Sequence, residues 1–483
     1  MTVNSIKNKA IKSAIWSLLD KVVNQIGNFL LLIYLSQILS PSDFGLIAML
    51  AIFLAVSQSI IDSGFSQALI QRSKDVTEKD LSTIFYLNLV MSLVLYFILY
   101  LSSPSISSFY NQPELTALSR VLFIIVIINS FAIVPRAVLT IDLDFKSQSI
   151  TNTIATITGA IIAVYMVLND FGYWSLVGLN LAKSVTTAVI INYIVKWRPK
   201  LLFSIRSLKS LFSFGSFLLI AGLVATTVQN LYTVLLGRYF SSQEVGYFQQ
   251  GYSYTNILST TITSVVQGVT YPIMTSMKDE EQRLISVYTK VMSIAMLVTF
   301  PIFFGFISVA EEFVLLFLGT KWLPIVPILI ILSLARMITP ISSLNLNILN
   351  AKGRSDLFLR VDLSKIPMTI IALVFAIPYG IMGVAIAQVF TVFISFFINA
   401  YYPGKLFGFG WLQQVKLMSP ILFSSIAMYM ILSVIHFDDL LIQLVVKIIV
   451  GFSSYITLCY LTKVSSFYYI VDIVKSNLSF QRK

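Results

Sequence analysis

The chain has 483 residues, 57% of them hydrophobic and only 11% charged, and its 33 Lys and Arg against 21 Asp and Glu give a formal net charge of +12. With a mean hydropathy of +0.86, this composition excludes a soluble globular domain of ordinary makeup and places the chain in a bilayer. The positive balance calls for no nucleic-acid partner, because the basic residues collect in alternate loops, as membrane topology requires.

Only helices satisfy their own backbone hydrogen bonds in hydrocarbon without closing a barrel, and a crossing of about 30 Å takes about 20 apolar residues. Fourteen spans are predicted on that criterion, near 15 to 36, 44 to 65, 81 to 103, 117 to 140, 150 to 168, 173 to 195, 211 to 237, 247 to 273, 287 to 309, 323 to 348, 360 to 378, 381 to 403, 416 to 436 and 441 to 462. The first follows Lys7, Lys9 and Lys12 and has no small-residue cleavage site, so it is expected to be retained and not removed as a signal peptide. Its polar residues Asp20, Asn24 and Asn28 form an i, i+4, i+8 stripe flanked by Lys21 and Gln25. The sixth carries Lys183 on a face with Asn180, Ser184 and Thr187. The seventh carries Thr226, Gln229, Asn230 and Thr233, and the eighth keeps Gln249, Ser253, Asn256, Thr260, Ser264 and Gln267 at three-to-four spacing. The tenth has Arg336 near its middle, followed by Thr339, Ser343 and Asn347. Pro135, Pro272, Pro301, Pro340 and Pro367 fall inside spans or at their ends and are expected bending points.

With the amino terminus inside, the cytoplasmic segments hold nearly all Lys and Arg outside or at the ends of the spans, including Arg72, Lys74, Arg136, Lys146, Arg198, Lys278, Arg354, Lys405 and the terminal Arg482 and Lys483. The opposite loops hold only Arg238 and Lys321, together with acids such as Asp43, Glu114, Glu244, Glu311 and Glu312. This asymmetry sets an even number of spans with both termini cytoplasmic. The single cysteine, Cys459, lies inside the last span, so no intrachain disulfide can form.

The second six spans repeat the first six. LSQILSPSDFG at 35 to 45 aligns with LGRYFSSQEVG at 236 to 246, an offset of 201 that pairs Asp43 with Glu244 and Gly45 with Gly246. Gly64 and Lys74-Asp75 match Gly268 and Lys278-Asp279 at 204, Pro135 matches Pro340 at 205, and Lys146-Ser147 and Gly172 match Arg354-Ser355 and Gly380 at 208. The offset drifts only upward, as loop insertions in a second copy produce. The expected architecture is therefore an all-α integral membrane protein with two six-helix lobes related by duplication and two further helices. Its divisions fall at 1–200 (spans 1 to 6), 201–405 (spans 7 to 12) and 406–483 (spans 13 and 14 with a cytoplasmic tail). Six spans per copy is an even number, so both copies enter the membrane with the same polarity.

Polar stripes mark faces turned away from lipid, and the plainest reading of the uncharged ones is hydrogen bonding between helices. Charges say more, because a Lys or Arg near the bilayer centre costs at least about 2.5 kcal/mol. Lys183, about ten residues from the nearer span end, lies about 15 Å deep, and Arg336 is similarly central. Both are expected to line a polar path and attract an anion. Lys21 is a weaker helper, and Asp20 a candidate ion-coupling carboxylate. Asn24, Asn28, Asn180, Gln229, Asn230, Gln249 and Asn256 would complete the lining. Arg120, Lys447 and Asp62 lie near span ends and read as interfacial. No phosphate loop, HExxH or paired-cysteine metal spacing is present, so neither an enzyme, a metal nor a cofactor is expected, and pumping would draw on an ion gradient, the membrane potential or substrate consumption on the far side.

The stretch from Trp16 through LSPSDFGLIAML at 39 to 50, DSGFSQALIQ at 62 to 71, FYNQPEL at 109 to 115, the segment at 143 to 147 with Phe145-Lys146, FGYWSLV at 171 to 177, and KWRPKL followed by LFSFGSFLL strongly resemble bacterial polysaccharide flippases. The branch is the lipopolysaccharide or colanic-acid exporters of the multidrug, oligosaccharidyl-lipid and polysaccharide exporter superfamily. The resemblance is close in the amino-terminal half and extends more loosely over about 400 residues. It implies two six-helix lobes packed as a V that alternate between inward-open and outward-open states, with two extra carboxy-terminal helices. It also implies a substrate, an oligosaccharide repeat unit on undecaprenyl pyrophosphate turned from the inner to the outer leaflet of the bacterial cytoplasmic membrane, with a polymerase and glycosyltransferases as pathway partners. The alternatives are an ion-coupled multidrug exporter of the same superfamily, which would favour buried carboxylates, and a membrane glycan polymerase or ligase, which would favour a large catalytic outer loop.

Overall fold

The computed structural model describes residues 3–62, 65–71, 76–277 and 279–480. The repeat markers Gly64, Lys74, Asp75 and Lys278 and the basic residues Arg72, Arg482 and Lys483 lie outside the described residues. The chain divides into two units, Met1–Gln249 and Gln250–Lys483. Unit 1 holds α1 (Val3–Ile38), α2 (Pro41–Asp62), α3 (Phe65–Gln71), α4 (Glu78–Tyr110), α5 (Glu114–Leu122), α6 (Ile124–Ile141), α7 (Phe145–Leu168), α8 (Trp174–Ile194), α9 (Ile205–Tyr239) and the start of α10 (Ser242–Ser276). Unit 2 holds the rest of α10 with α11 (Glu281–Ser308), α12 (Ala310–Phe313), α13 (Val326–Arg336), α14 (Thr339–Ala351), α15 (Ser355–Ser364), α16 (Ile366–Ala376), α17 (Gly380–Phe407), α18 (Trp411–Ser433), α19 (Leu440–Leu461) and α20 (Ser465–Phe480). Among the described residues there is no strand.

Ten stretches among the described residues are long and apolar enough to cross a membrane. One of them, Asp356–Phe407, has 52 residues, about twice what one crossing needs, and turns back at Gly380, whose φ of 75° suits glycine. The helices α1, α9 and α10, with 36, 35 and 35 residues, are also long enough to cross a membrane. These elements are compatible with fourteen crossings. Breaks that hydropathy did not show interrupt three expected spans, at Phe123 between α5 and α6, at Met337–Ile338 between α13 and α14, and at Lys365 between α15 and α16. Pro340 and Pro367 follow two of these breaks in the first turn of a new helix, where a missing N–H leaves no carbonyl unpaired. Pro135 and Pro301 lie inside α6 and α11.

The repeated motif builds the same structure twice. At the start of α2, Asp43 Oδ2 accepts from the Ser40 backbone N–H at 2.8 Å and its hydroxyl at 2.7 Å. At the start of α10, Glu244 Oε2 accepts from the Ser241 N–H at 3.0 Å and hydroxyl at 2.8 Å. Each is a capping box that satisfies end donors and sets a carboxylate against the positive helix terminus. The two glycines then let these helix starts touch. A Cβ on Gly45 would stand 1.8 Å from the Ser242 carbonyl oxygen, and one on Gly246 1.8 Å from that of Pro41. Pro41 and Ser242 are themselves equivalent at the offset of 201, so the contact is reciprocal, as a two-fold relation between the copies demands. Ser42 Oγ and Ser242 Oγ are hydrogen-bonded at 2.6 Å, and Arg238 donates to the Phe109 carbonyl at 2.6 Å beside them in chain order. This end of unit 1 is closed by backbone packing.

In unit 2 the core is built by Met292, Met296, Phe300 and Phe303 of α11 against Ile341 and Leu344 of α14 and Ile421 and Met428 of α18. Three buried polar side chains bridge the same helices. Tyr288 donates to Asn345 Oδ1 at 2.6 Å, and Asn345 and Gln414 exchange amide bonds at 2.7 and 3.1 Å. Lys447 is not interfacial, as its position near a span end suggested. Its ammonium is buried at 2.5 Å from Glu312 Oε1 and 3.0 Å from the Ser308 carbonyl, with Gln443 also donating to Glu312. Burial works to raise the Glu312 carboxyl, but the hydrogen bonds from Lys447, its own backbone and Gln443 outweigh it and hold the group below its usual range.

Two outcomes follow from these contacts. In a Cys459→Ser background, Ser42→Cys with Ser242→Cys is expected to crosslink readily under mild oxidation, and adding Gly45→Ala or Gly246→Ala to cut the yield severalfold; equal yields would show that the glycines are dispensable. Thermal unfolding in detergent should show Lys447→Ala destabilised by about 3–5 kcal/mol, because it strands a buried carboxylate, and Glu312→Gln with Lys447→Met much closer to wild type.

Candidate functional site

A cavity of about 1010 Å³ opens within unit 1 among α1, α2, α3, α6, α7 and α8. Its lining comes from Asp20 to Gln25 of α1, the later half of α2, Ile125 to Thr140 of α6, Asn152 and Thr156 in the amino-terminal half of α7, and Asn180 to Thr187 of α8. The cavity therefore reaches the middle of α1, α7 and α8 and extends to Asp62, Arg136 and Thr140, near the ends of α2 and α6 away from the Gly45–Gly246 contact.

The α1 stripe finds its partner on α7. Asp20 Oδ1 accepts from Asn24 Nδ2 at 2.6 Å and Oδ2 from Asn152 Nδ2 at 3.0 Å, while Thr156 donates to Asn24 Oδ1 at 2.7 Å. Two residues one turn apart on each helix therefore interlock, which fixes their register and keeps the carboxylate in place. Across the cavity, Asn129 of α6 donates to Gln58 of α2 at 3.0 Å. Such amides have donors and acceptors to spare toward a ligand.

The cations are treated differently. Lys21, Arg136 and Lys183 all line the cavity, with Asp20 and Asp62 as its carboxylates. Asp20 acts on Lys183 at a distance, and Asp62 and Asp20 act on Arg136, but none of the three cations forms a salt bridge with a described residue. Asp62 is engaged instead by Ser66 Oγ at 2.8 Å. Three cations against two carboxylates leave the lining positive, and among the described residues no acceptor holds the three cations.

Of the residues expected from sequence, Asp20, Lys21, Asn24, Asn180 and Lys183 meet in this cavity. Asn180 also donates to the Leu176 carbonyl at 2.8 Å. Asn28 is exposed on α1 and outside the lining, and Gln229 is exposed on α9. Asn230 donates back to the Thr226 carbonyl at 2.8 Å, satisfying itself within its helix. Gln249 is half-buried in unit 1 and Asn256 half-buried in unit 2, where the Asn256 carbonyl accepts from Thr260. Arg336 belongs to unit 2, with its guanidinium 4.2 Å from the Tyr252 ring centroid, Nε buried without a hydrogen-bond partner, and its carbonyl bonded to Ser259 at 3.0 Å. Sequence reasoning missed Arg136, Asp62, Asn129 and Asn152 as lining residues. A signal was present: Asn129, Arg136 and Thr140 stand at i, i+7 and i+11 on one face of α6.

Residues 34–327 match a family described as polysaccharide biosynthesis protein. The chain belongs to this family. Among its relatives are the teichuronic acid biosynthesis protein TuaB of Bacillus subtilis (strain 168), 33% identical over 305 residues, and the lipopolysaccharide biosynthesis protein WzxC of Escherichia coli (strain K12), 24% identical over 410 residues. The match spans 62% of this chain and 62% of TuaB, and 82% of this chain and 81% of WzxC. In fold the chain resembles the lipid II flippase MurJ in an inward closed conformation, with a TM-score of 0.75 at 16% identity over 96% of this chain and 100% of that one. An inward-facing multidrug resistance MATE family transporter of the MOP superfamily gives a TM-score of 0.64 at 16% identity over 84% of this chain and 98% of the other. The polysaccharide family thus carries the same fold as flippase and drug-transporter structures.

Proposed function

We propose that this family member is a flippase that moves undecaprenyl-pyrophosphate-linked oligosaccharide repeat units from the inner to the outer leaflet of the bacterial cytoplasmic membrane by alternating access, for surface polysaccharide synthesis, and that it is not an enzyme. The observation that carries this reading is the set of unpaired cations in the unit 1 cavity. A pyrophosphate offers what Lys183, Arg136 and Lys21 lack, a polyanionic acceptor, and charge-assisted bonds to it are the strong kind. The amides of Asn24, Gln58, Asn129 and Asn180 suit sugar hydroxyls, which both donate and accept. The prenyl chain has no need of the cavity and stays in lipid. Arg336, the other basic group expected from the sequence to attract an anion, lies in unit 2 over the Tyr252 ring.

In this reading residues 1–200 and 201–405 are the moving lobes and 406–483 an appended pair of helices, with both termini cytoplasmic. Opening toward the outer leaflet parts the Gly45–Gly246 contact, which small residues allow to form and release without interdigitated side chains. Asp20, fixed by Asn24 and Asn152, is the ion-coupling carboxylate. A polymerase and glycosyltransferases are the pathway partners. The MATE-like fold and the presence of Asp20 and Asp62 favour a drug exporter as the second reading, but a site for cationic drugs would carry an excess of carboxylates, and here the excess is of cations.

Reconstituted vesicles with a labelled undecaprenyl-pyrophosphate oligosaccharide test both. Wild type should move the glycan between leaflets, Lys183→Ala with Arg136→Ala should lower the rate at least tenfold, as expected when charged hydrogen bonds worth about 1.5–3 kcal/mol each are lost, and Asp20→Asn should move it without the wild type's pH or sodium dependence. Unchanged transport by the folded double variant would remove the site, and proton-coupled efflux of cationic dyes with no glycan movement would favour the drug exporter.

A further inference from the structure

Unit 2 carries a second hollow, of about 600 Å³, between α15, α17 and the start of α18. We propose that it binds the headgroup phosphate of an anionic membrane phospholipid, a site separate from the transport cavity and independent of the substrate assigned above.

The lining includes Arg360, Phe397, Tyr401, Tyr402 and Trp411 and holds no carboxylate. Among the described residues neither the Arg360 guanidinium, the Tyr401 and Tyr402 hydroxyls nor the Trp411 indole N–H has a hydrogen-bond or ion-pair partner. The neighbouring charges show why. Asp356 is taken by Arg354 at 2.9 Å and Asp362 by Lys365 at 2.6 Å, so Arg360 is the cation of this segment left over. Guanidinium and indole can only donate, and the phenols complete a set that calls for an acceptor carrying negative charge.

Depth identifies the acceptor as a lipid. Arg360 follows the 352–354 connection by about one and a half turns, Tyr401 and Tyr402 stand the same short way before the end of α17, and Trp411 opens α18. That is the headgroup level, where Trp and Tyr collect and basic residues meet anionic leaflets. The aromatic walls are set edge to face, Phe397 against Trp411 at 5.5 Å and Tyr401 against Tyr402 at 5.2 Å. Trp411 is 44% and Tyr401 59% exposed, so the hollow is open from the side, as a lipid entering from the bilayer requires. Phe397 and Ile398 supply apolar surface for the first acyl carbons.

The test uses the full chain in neutral detergent, titrated with phosphatidylglycerol, with phosphatidylcholine of the same acyl chains, and with inorganic phosphate, reading retained lipid by native mass spectrometry and the melting temperature. Phosphatidylglycerol should bind and stabilise in preference to phosphatidylcholine, and Arg360→Gln should weaken it about tenfold, as loss of a charge-assisted bond implies, while leaving melting in phosphatidylcholine unchanged. Trp411→Leu, which keeps the charge, should weaken it less. Undiminished phosphatidylglycerol preference in both variants, equal binding of the two lipids, or the same stabilisation by inorganic phosphate alone would each overturn the assignment. None of these outcomes bears on glycan transport.

Discussion

Hydrocarbon offers no hydrogen-bond partner to a polar side chain, so each such group must find one inside the protein or face a space that a polar ligand can fill. The architecture follows from where the first solution is used and where it is not. Asp20 is held by Asn24 and Asn152, Gln58 by Asn129, and Glu312 by Lys447 and Gln443. Lys21, Arg136 and Lys183 are left facing the cavity. Lys447 is neutralised by a buried carboxylate, whereas Lys183 has no ion-pair partner among the described residues, which leaves its charge available to the anionic ligand proposed above.

The duplication gives that cavity an end that closes. In each copy a serine caps a helix, an acid three residues on answers it, and a glycine two further brings the backbone against the other copy. Charge balance and close approach come from the same short motif. A contact made of backbone and small side chains has few interlocking groups to separate, which suits an interface that must form and part repeatedly. The polar cavity runs from mid-helix toward the end of unit 1 away from the closed contact, the arrangement alternating access needs in one of its states.

Much of this was legible in the sequence, for physical reasons that also mark its limits. A four-residue polar spacing in an apolar run has one meaning in a bilayer, so the α1 stripe and the depth of Lys183 pointed to the cavity. Pairing across helices was not legible, because nothing in α1 says that Asn152 and Thr156 stand opposite. Arg136 and Lys447 both lie near a span end, which by sequence alone is where loop and interfacial cations lie; distance along a helix gives depth but not the face, and the face decides both. The breaks at Phe123, Met337 and Lys365 lie where apolarity continues and only the local backbone changes. Asn28 and Gln229 show the converse, polar residues within striped spans that the fold leaves away from the cavity.

In the proposed mechanism the unit 1 cavity receives the anionic end of its ligand beside Lys183. Ser184→Cys in a Cys459→Ser background puts one thiol in that lining. A membrane-impermeant thiol reagent applied from the side of the amino terminus should label it, and an undecaprenyl-pyrophosphate oligosaccharide should slow the labelling severalfold while the same glycan without its pyrophosphate does not. Labelling at the same rate with and without the lipid-linked ligand would contradict the account.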